Sequence, residues 1–364
     1  MPDFERRIVA VRAALAGSGG AGLLVGPGAD LRYLTGYDAL PLERLTLLVV
    51  PPTGDPLLIV PALERPRAES QGVSVPIAGW RETDDPFALV PKAVGPAKGT
   101  VFVGDRLWAA FVLRLQRELH GLPFGLASSI TGPLRIRKDP AEISLLRDAA
   151  SVADDVALAL ADERVAGWTE RELSRWISDR LIAGGVEHVN FALVAAGENA
   201  ASPHHEPGDR VIAPGESIVC DFGGTIGGYC SDITRTYVVG PAPDDLREVH
   251  GVVLRAQAAG TNAARPGVPC ESVDAAARTV IESAGFGEAF MHRTGHGIGL
   301  EEHEDPYIVG GNSAVLEPGM AFSVEPGVYV RGRLGVRIED IVVCNPSGPE
   351  SLNTAPRDLV ELPR

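Results

Sequence analysis

The chain has 364 residues, a length at which two hydrophobic cores are expected rather than one. Hydrophobic residues make up 45% and charged residues 22%, with no low-complexity tract or fixed-period repeat, which argues against a disordered chain and a solenoid. The 48 acidic against 33 basic residues give a formal net charge of −15, which disfavours nucleic acid or an anionic membrane surface as a partner.

The first stretch, MPDFERRIVAVRAALAGSGG, mixes charges into its apolar positions and lacks the continuous apolar core of a signal peptide. No apolar run approaches the roughly 18 residues of a spanning helix, so no membrane association and a cytoplasmic location are expected. Residues 1–132 read as an α/β domain, with apolar strands at AGLLV (21–25), LTLLVV (45–50), PLLIV (56–60) and TVFVG (100–104). Helical stretches such as LWAAFVLRLQRELHG separate them. That half has no strand-anchored GxGxxG, no phosphate loop and no cluster of histidines and acids, so a scaffolding or gating role is expected. Cys220, Cys230, Cys270 and Cys344 lack CxxC spacing and are expected to be reduced, buried thiols.

The domain boundary falls in TGPLRIRKDP, where Gly132, Pro133 and Pro140 are expected to interrupt regular structure, so that residues 133–364 form the second domain. A helix then begins with Asp139 as cap, Pro140 in the first turn and Glu142 closing a capping box. Ile143, Leu146, Ala150, Ala153, Val156 and Leu160 mark its apolar face. The next helix repeats this logic with Thr169, Glu172 and the stripe Leu173, Trp176, Ile177 and Leu181. Two further amphipathic helices lie in LREVHGVVLRAQAAGTNA and SVDAAARTVIESAG, the latter stopped by Gly285. Strands are expected at 216–223, 229–240, 320–330 and 335–344. Helix, helix, strand, strand occurs twice. The fold class is therefore α+β, an internally duplicated domain with an antiparallel sheet covered by helices, preceded by the smaller α/β domain.

Each of those strands buries an acid in an apolar run: Asp221 in IVCDFG, Asp232 in SDITRT, Glu325 in FSVEPG and Glu339 in VRIEDIVV. A buried carboxylate charge costs several kcal/mol and several together repel, so such groups must be protonated, paired or metal-bound. Four carboxylates match two divalent cations, and carboxylate oxygens with one imidazole suit Mn, Co or Zn. The imidazole is His296 in HRTGHGIGL, where Gly295, Gly297 and Gly299 disfavour a helix and let the backbone approach a ligand closely. His292 and His303 lie in the same loop region.

These residues carry a family resemblance. GENAASPHH, VCDFGG, YCSDITRTYVVG, HRTGHGIGLEEHE, FSVEPGVY and GVRIEDIV occur in order, with Asp221 and Asp232 separated by 11 positions. They resemble the prolidase and aminopeptidase P group of the pita-bread metallopeptidases, peptidase family M24. LRYLTGYD and RIRKDPAEISLLRDA resemble that group's creatinase-type N-terminal domain and hinge, which methionine aminopeptidases lack. Creatinase keeps the fold without the ligand set, so the intact set argues against a creatinase or a non-catalytic binding relative.

The resemblance implies two divalent ions per chain, Mn before Co or Zn, with Asp221 on one, Asp232 and Glu339 bridging both, and His296 and Glu325 completing the second. It implies hydrolysis of Xaa-Pro peptide bonds in small peptides, with Glu325 accepting the proton of the attacking water and His303 assisting at the scissile group. The resemblance also implies that His204, 17 residues before Asp221, points into the pocket as a catalytic residue, with His205 in a structural role. His292, Tyr329 and Arg337 match substrate-binding positions, Arg337 sharing the strand face of Glu339 by alternation. The first reading is an Xaa-Pro dipeptidase. The alternatives are an aminopeptidase P acting on longer peptides and a fold-sharing non-peptidase hydrolase or binding protein. A homodimer is implied by the family alone.

Overall fold

The structure, a computed structural model, describes residues 3–96 and 98–364. The chain divides into two compact units, one ending at Arg135 and one spanning Ile136–Arg364. The first contains α1 (Phe4–Ser18), β1 (Gly20–Val25), α2 (Ala29–Thr35), β2 (Leu47–Val50), β3 (Leu57–Pro61), α3 (Arg65–Ser70), β4 (Ile77–Trp80), α4 (Val90–Val94), β5 (Thr100–Val103), α5 (Ala109–Glu118), β6 (Phe124–Leu126) and α6 (Ser128–Arg135). Its strands form one mixed sheet in the order β4-β3-β2-β1-β5-β6. The four apolar runs are β1, β2, β3 and β5, and Leu24, Leu47, Val49, Ile59, Val101 and Val103 build the core between sheet and helices. These inner strands are covered on both faces, so they read as continuous apolar runs rather than alternating ones. The edge strands β4 and β6 are short and only partly buried, so they escape the same reading.

Gly132 and Pro133 do not interrupt the chain as expected; both lie inside α6. The proline removes one N–H from the helical ladder. Buried Ile130 and Thr131, the latter donating its hydroxyl to the carbonyl of Ala127 at 3.0 Å, hold the short helix in place regardless. Tertiary packing here overrides local propensity.

The second unit runs α7 (Pro140–Leu160), α8 (Glu170–Ala183), β7 (His188–Ala196), β8 (Ser217–Ile226), β9 (Tyr229–Cys230), β10 (Ile233–Val239), α9 (Asp244–Ala263), α10 (Cys270–Ser283), β11 (Gly295–Gly297), β12 (Glu304–Ile308), β13 (Ala321–Val324), β14 (Gly327–Val330), β15 (Leu334–Arg337), β16 (Asp340–Asn345), β17 (Gly348–Ser351) and β18 (Val360–Leu362). A helix pair followed by strands thus occurs twice. Both predicted capping boxes form: Asp139 accepts from the amides of Ala141 and Glu142 while Glu142 returns to the amide of Asp139, and Thr169 and Glu172 exchange the same bonds. Each such cap stabilises its helix by about 1 kcal/mol. Leu146, Ala150, Ala153, Val156 and Leu160 on α7, and Leu173, Ile177 and Leu181 on α8, are buried as the 3.6-residue period requires.

The antiparallel surface under these helices is divided into three ladders. One has the order β18-β10-β8-β7 with β9 added to β8, another the order β12-β11-β13-β16-β17, and the third is the pair β14-β15. All pairs are antiparallel except β10 with β18. An isolated bridge between Thr234 and Glu339 joins the first ladder to the junction of β15 and β16.

Three segments expected as single strands are each broken, and the break falls beside an acid. Asp232 lies between β9 and β10, Glu325 between β13 and β14, and Glu339 between β15 and β16. At Glu325 and Glu339 the chain leaves one ladder for another, whereas at Asp232 the strands on both sides pair with β8. At Glu325 the following Pro326 has no N–H to offer a ladder. Only Asp221 sits within a strand, on β8 opposite Thr234 of β10 and Leu193 of β7. The glycines around His296 also act differently from expectation. A Cβ on Gly295 would run into the carbonyl of Ser323, and one on Gly297 into that of Asp305. They let neighbouring strands, rather than a ligand, close on β11.

All four cysteines are free and buried. Among the described residues no helix is long and apolar enough to cross a membrane. On α9, His250 is only 4% exposed, and its Nε2 has no hydrogen-bond partner among the described residues. Burial holds its pKa down to about 4, with Asp358 pulling it up and Arg235 pushing it further down. An unfolded histidine titrates near 6.5. Between about pH 6.5 and 4 the unfolded chain therefore binds the extra proton, and stability falls as the pH is lowered through that window. From pH 7 to 4.5 this one group should remove on the order of 2–3 kcal/mol. Urea unfolding of the wild type and His250→Gln at both pH values checks it: the loss should be smaller in the variant by that amount, and parallel losses would contradict the assignment.

Candidate metal centre

The acids at the strand breaks converge with His296 on one buried cluster. Asp232, His296 and Glu339 each present a ligand atom such that all three atoms lie within 4.8 Å of one another. His296 Nε2 is 3.2 Å from Glu325 Oε1 and 3.7 Å from Asp232 Oδ2. Its Nδ1 lies 3.2 Å from the carbonyl of Gly297. A proton held at Nδ1 by that carbonyl leaves Nε2, the nitrogen facing the carboxylates, as the ligating atom.

Glu325 is held by a hydroxyl two positions back on its own segment, and Glu339 by a hydroxyl from β10. Ser323 donates its hydroxyl to Glu325 Oε1 at 3.0 Å and accepts the amide of His296 at 3.0 Å. Thr234 donates to Glu339 Oε2 at 2.6 Å. Sequence reading missed both hydroxyls. For Ser323 the signal was present in its two-residue spacing from Glu325, which puts alternating side chains on one side of an extended chain; Thr234 bonds an acid 105 positions on and left no local signal.

Asp221 is outside the set of three formed by Asp232, His296 and Glu339. Its Oδ2 accepts from Arg337 Nη2 at 2.5 Å. Arg337, expected to hold substrate, is buried and spends its other donors internally, Nη1 on the Tyr329 hydroxyl at 2.9 Å and Nε on Thr234 Oγ1 at 3.0 Å. Tyr329 is likewise buried, with its hydroxyl 2.9 Å from His292 Nε2. Asp221, Arg337, Tyr329 and His292 thus form one hydrogen-bonded chain. His303 is exposed, with its ring centroid 3.9 Å from that of His296 and its Nδ1 3.5 Å from Arg293 Nη2. His204 is exposed, and its charge reaches both His292 and His303. His205 turns away to Glu170, 2.9 Å from its Oε2.

Electrostatics and unmet bonds both favour a cation here. Burial, then the charges of Glu339, Asp221 and Glu325, push Asp232 well above the usual carboxylate range. Glu339 is pushed the same way by burial and by Glu325 and Asp221. For Glu325, burial is outweighed by the hydrogen bond and charge of His296, and its pKa is depressed. Burial and the charges of His296 and Arg293 hold His303 at about 4, and burial raises Tyr329 to about 12. Among the described residues Asp221 Oδ1 and Asp232 Oδ1 are buried with no hydrogen-bond partner. Buried carboxylate oxygens without donors are costly, and a divalent ion supplies what they lack. Carboxylates with one imidazole are the donor set of Mn, Co or Zn.

Comparison with known proteins agrees with this chemistry. Residues 144–346 match metallopeptidase family M24, and residues 7–137 match the creatinase/prolidase N-terminal domain. The chain is 43% identical over 364 residues to the probable dipeptidase PepE of Mycobacterium tuberculosis, covering 99% of this chain and 97% of that protein. It is 37% identical over 340 residues to an Xaa-Pro dipeptidase of Lactobacillus helveticus, covering 92% of each. Among solved structures, a recombinant prolidase from Thermococcus sibiricus superposes with a TM-score of 0.94 at 36% identity, covering 99% of each chain. The chain belongs to metallopeptidase family M24, carries a creatinase/prolidase N-terminal domain, and is a divalent-metal-dependent peptidase.

Proposed function

We propose that the chain is a dinuclear Xaa-Pro dipeptidase, with Asp221, Asp232, His296, Glu325 and Glu339 as the ligands of two divalent ions, Mn before Co or Zn. The observation that supports it most directly is the pair of buried, donorless oxygens on Asp221 and Asp232, the latter a member of the compact set Asp232, His296 and Glu339. Four carboxylates call for about four positive charges, which a single divalent ion does not supply. When bound, the ions acidify water and polarise the scissile carbonyl. Glu325, fixed by Ser323, accepts the proton of the attacking water. Catalysis belongs to residues 133–364, and residues 1–132 act as scaffold or gate. A cytoplasmic homodimer completes the reading.

Specificity for proline follows from the leaving group. The nitrogen of an Xaa-Pro bond has no N–H and must be protonated before it departs, and exposed His303, tilted against the His296 ring, is the group that would donate a hydrogen bond or proton there. A dipeptide also presents a free carboxylate just beyond the ring. Arg293, beside His303 and over the Tyr307 ring, supplies a cation suited to it. The names of the relatives, dipeptidase and Xaa-Pro dipeptidase, support the same reading.

One experiment tests metal and specificity together. Dialysis against a chelator should abolish hydrolysis of Ala-Pro and lower the melting temperature by several degrees, because ions that bind only the folded state contribute about 3 kcal/mol at a hundredfold excess over Kd. Mn²⁺ should restore both. Ala-Pro should be cleaved at least tenfold faster than Ala-Pro-Ala, since the longer peptide cannot place a carboxylate beside the ring. Faster cleavage of the tripeptide would move the assignment to an aminopeptidase P.

A further inference from the structure

Glu170 is the first residue of α8 and is completely buried. The helix does not need it as a cap, because Thr169 and Glu172 already close the capping box. Its carboxylate instead reaches the segment after β7 and accepts four hydrogen bonds from it. Oε1 takes the amide of Ala196 at 2.9 Å and the Asn199 side chain at 3.0 Å. Oε2 takes His205 Nε2 at 2.9 Å and the amide of Gly208 at 3.1 Å. A buried charge is tolerable when its lone pairs are filled, and the N-terminus of a helix favours a negative one further. The four bonds outweigh burial and leave the Glu170 pKa lowered.

The four donors span Ala196 to Gly208, so one carboxylate ties the start, the middle and the end of a single loop. Two further contacts lock that loop. Arg210 makes a two-pronged pair with Glu216 at 2.6 and 2.8 Å, closing its base. The turn Gly197–Ala201 lies so close to β15 that a Cβ on Gly335 would collide with the carbonyl of Ala200. β15 ends at Arg337, the residue that holds Asp221 and Tyr329. His204 sits next to the anchored His205. The imidazole of His205 is drawn to Glu170, while the charge of His204 reaches His292 and His303.

We propose that Glu170 is a positioning residue, which through its hydrogen bond to His205 sets the place of His204 at the substrate mouth. The proposal rests on the reading that His204 serves Xaa-Pro hydrolysis. His205 then has a defined role, in which its Nε2–H links a rigid helix to a working imidazole. Any side chain that offers a donor at that point should serve in its place.

Steady-state kinetics of Ala-Pro hydrolysis by the Mn²⁺-loaded enzyme, with elemental analysis of each preparation, tests this in single and double variants. H205A should lower kcat/KM about tenfold, the lower end for loss of an outer hydrogen-bond partner, with metal content unchanged. H205Q, whose amide nitrogen takes the place of Nε2, should recover to within about threefold of wild type. E170Q should resemble H205A. In the H204A background, H205A and E170Q should each cost less than about twofold more, because residues that act through one another are not additive. A merely structural role would give the same loss in both backgrounds and no rescue by H205Q. If E170Q does not fold, the H205A and H205Q pair decides alone. Additive losses on an impaired H204A enzyme overturn the proposal and leave the peptidase reading intact. Unchanged kinetics in H204A itself overturn both the role of His204 and the proposal built on it.

Discussion

Asp232→Asn protein purified from Mn²⁺-supplemented cells is expected to carry less than its full metal and to lose at least about 10³-fold in kcat/KM on Ala-Pro, a loss of about 4 kcal/mol or more of transition-state stabilisation. The reason lies in where Asp232 sits. It is buried, its Oδ2 faces His296 Nε2 at 3.7 Å, and its Oδ1 has no donor. The amide replaces an anionic oxygen with an N–H group, which cannot ligate, and removes one of four like charges. On the proposed dinuclear reading, the remaining three carboxylates would no longer neutralise two divalent ions. A second result separates lost metal from lost fold. In metal-free protein the substitution relieves repulsion from Glu339, Asp221 and Glu325, the charges that press on Asp232. Metal-free Asp232→Asn should therefore melt no lower than metal-free wild type. Added Mn²⁺ should raise the melting temperature of the wild type and not that of the variant. A variant that kept both ions and normal rates would remove Asp232 from the ligand set.

Much of this centre was legible in the sequence because carboxylates in apolar runs are costly and therefore conspicuous. Asp232, His296 and Glu339 do share one buried cluster, and Glu325 touches His296. The capping boxes at Asp139 and Thr169 were legible for a similar reason: they depend on residues three apart and on nothing distant. What stayed hidden depends on distant partners. The alternation of MAFSVEPGVYV and GVRIEDIVVC is the same for a strand that keeps its neighbour and one that changes it, so the breaks at Glu325 and Glu339 could not be read. β11 is too short to show a period, and its glycines record the closeness of Ser323 and Asp305 instead. Arg337 was placed on the right face, yet only the fold reveals that its donors go to Asp221, Tyr329 and Thr234. Glu170 in TERE reads as one more acid in a first turn. Its burial comes entirely from a loop that returns to it 26 to 38 residues later.

His303→Ala is expected to fail in a different way from Asp232→Asn. The imidazole is exposed, and its partners among the described residues are the His296 ring, 3.9 Å between centroids, and Arg293, 3.5 Å from its Nδ1. Removing it leaves the five proposed ligands whole. Metal content should stay at the wild-type value, and Mn²⁺ should raise the melting temperature of variant and wild type alike. Turnover should nevertheless fall on the order of 10²-fold or more, the usual scale for a lost acid–base group. The loss should also depend on the leaving group. Prolyl nitrogen is a tertiary amide that must be protonated to depart, so the deficit belongs in kcat rather than KM. Substrates in which a better leaving group replaces proline should recover much of the rate, because acid assistance matters less as the leaving group improves. Elemental analysis beside kcat and KM on Ala-Pro and on one activated substrate distinguishes the outcomes. Lost metal would make His303 a ligand, and an equal deficit on both substrates would make it a binding group rather than the acid.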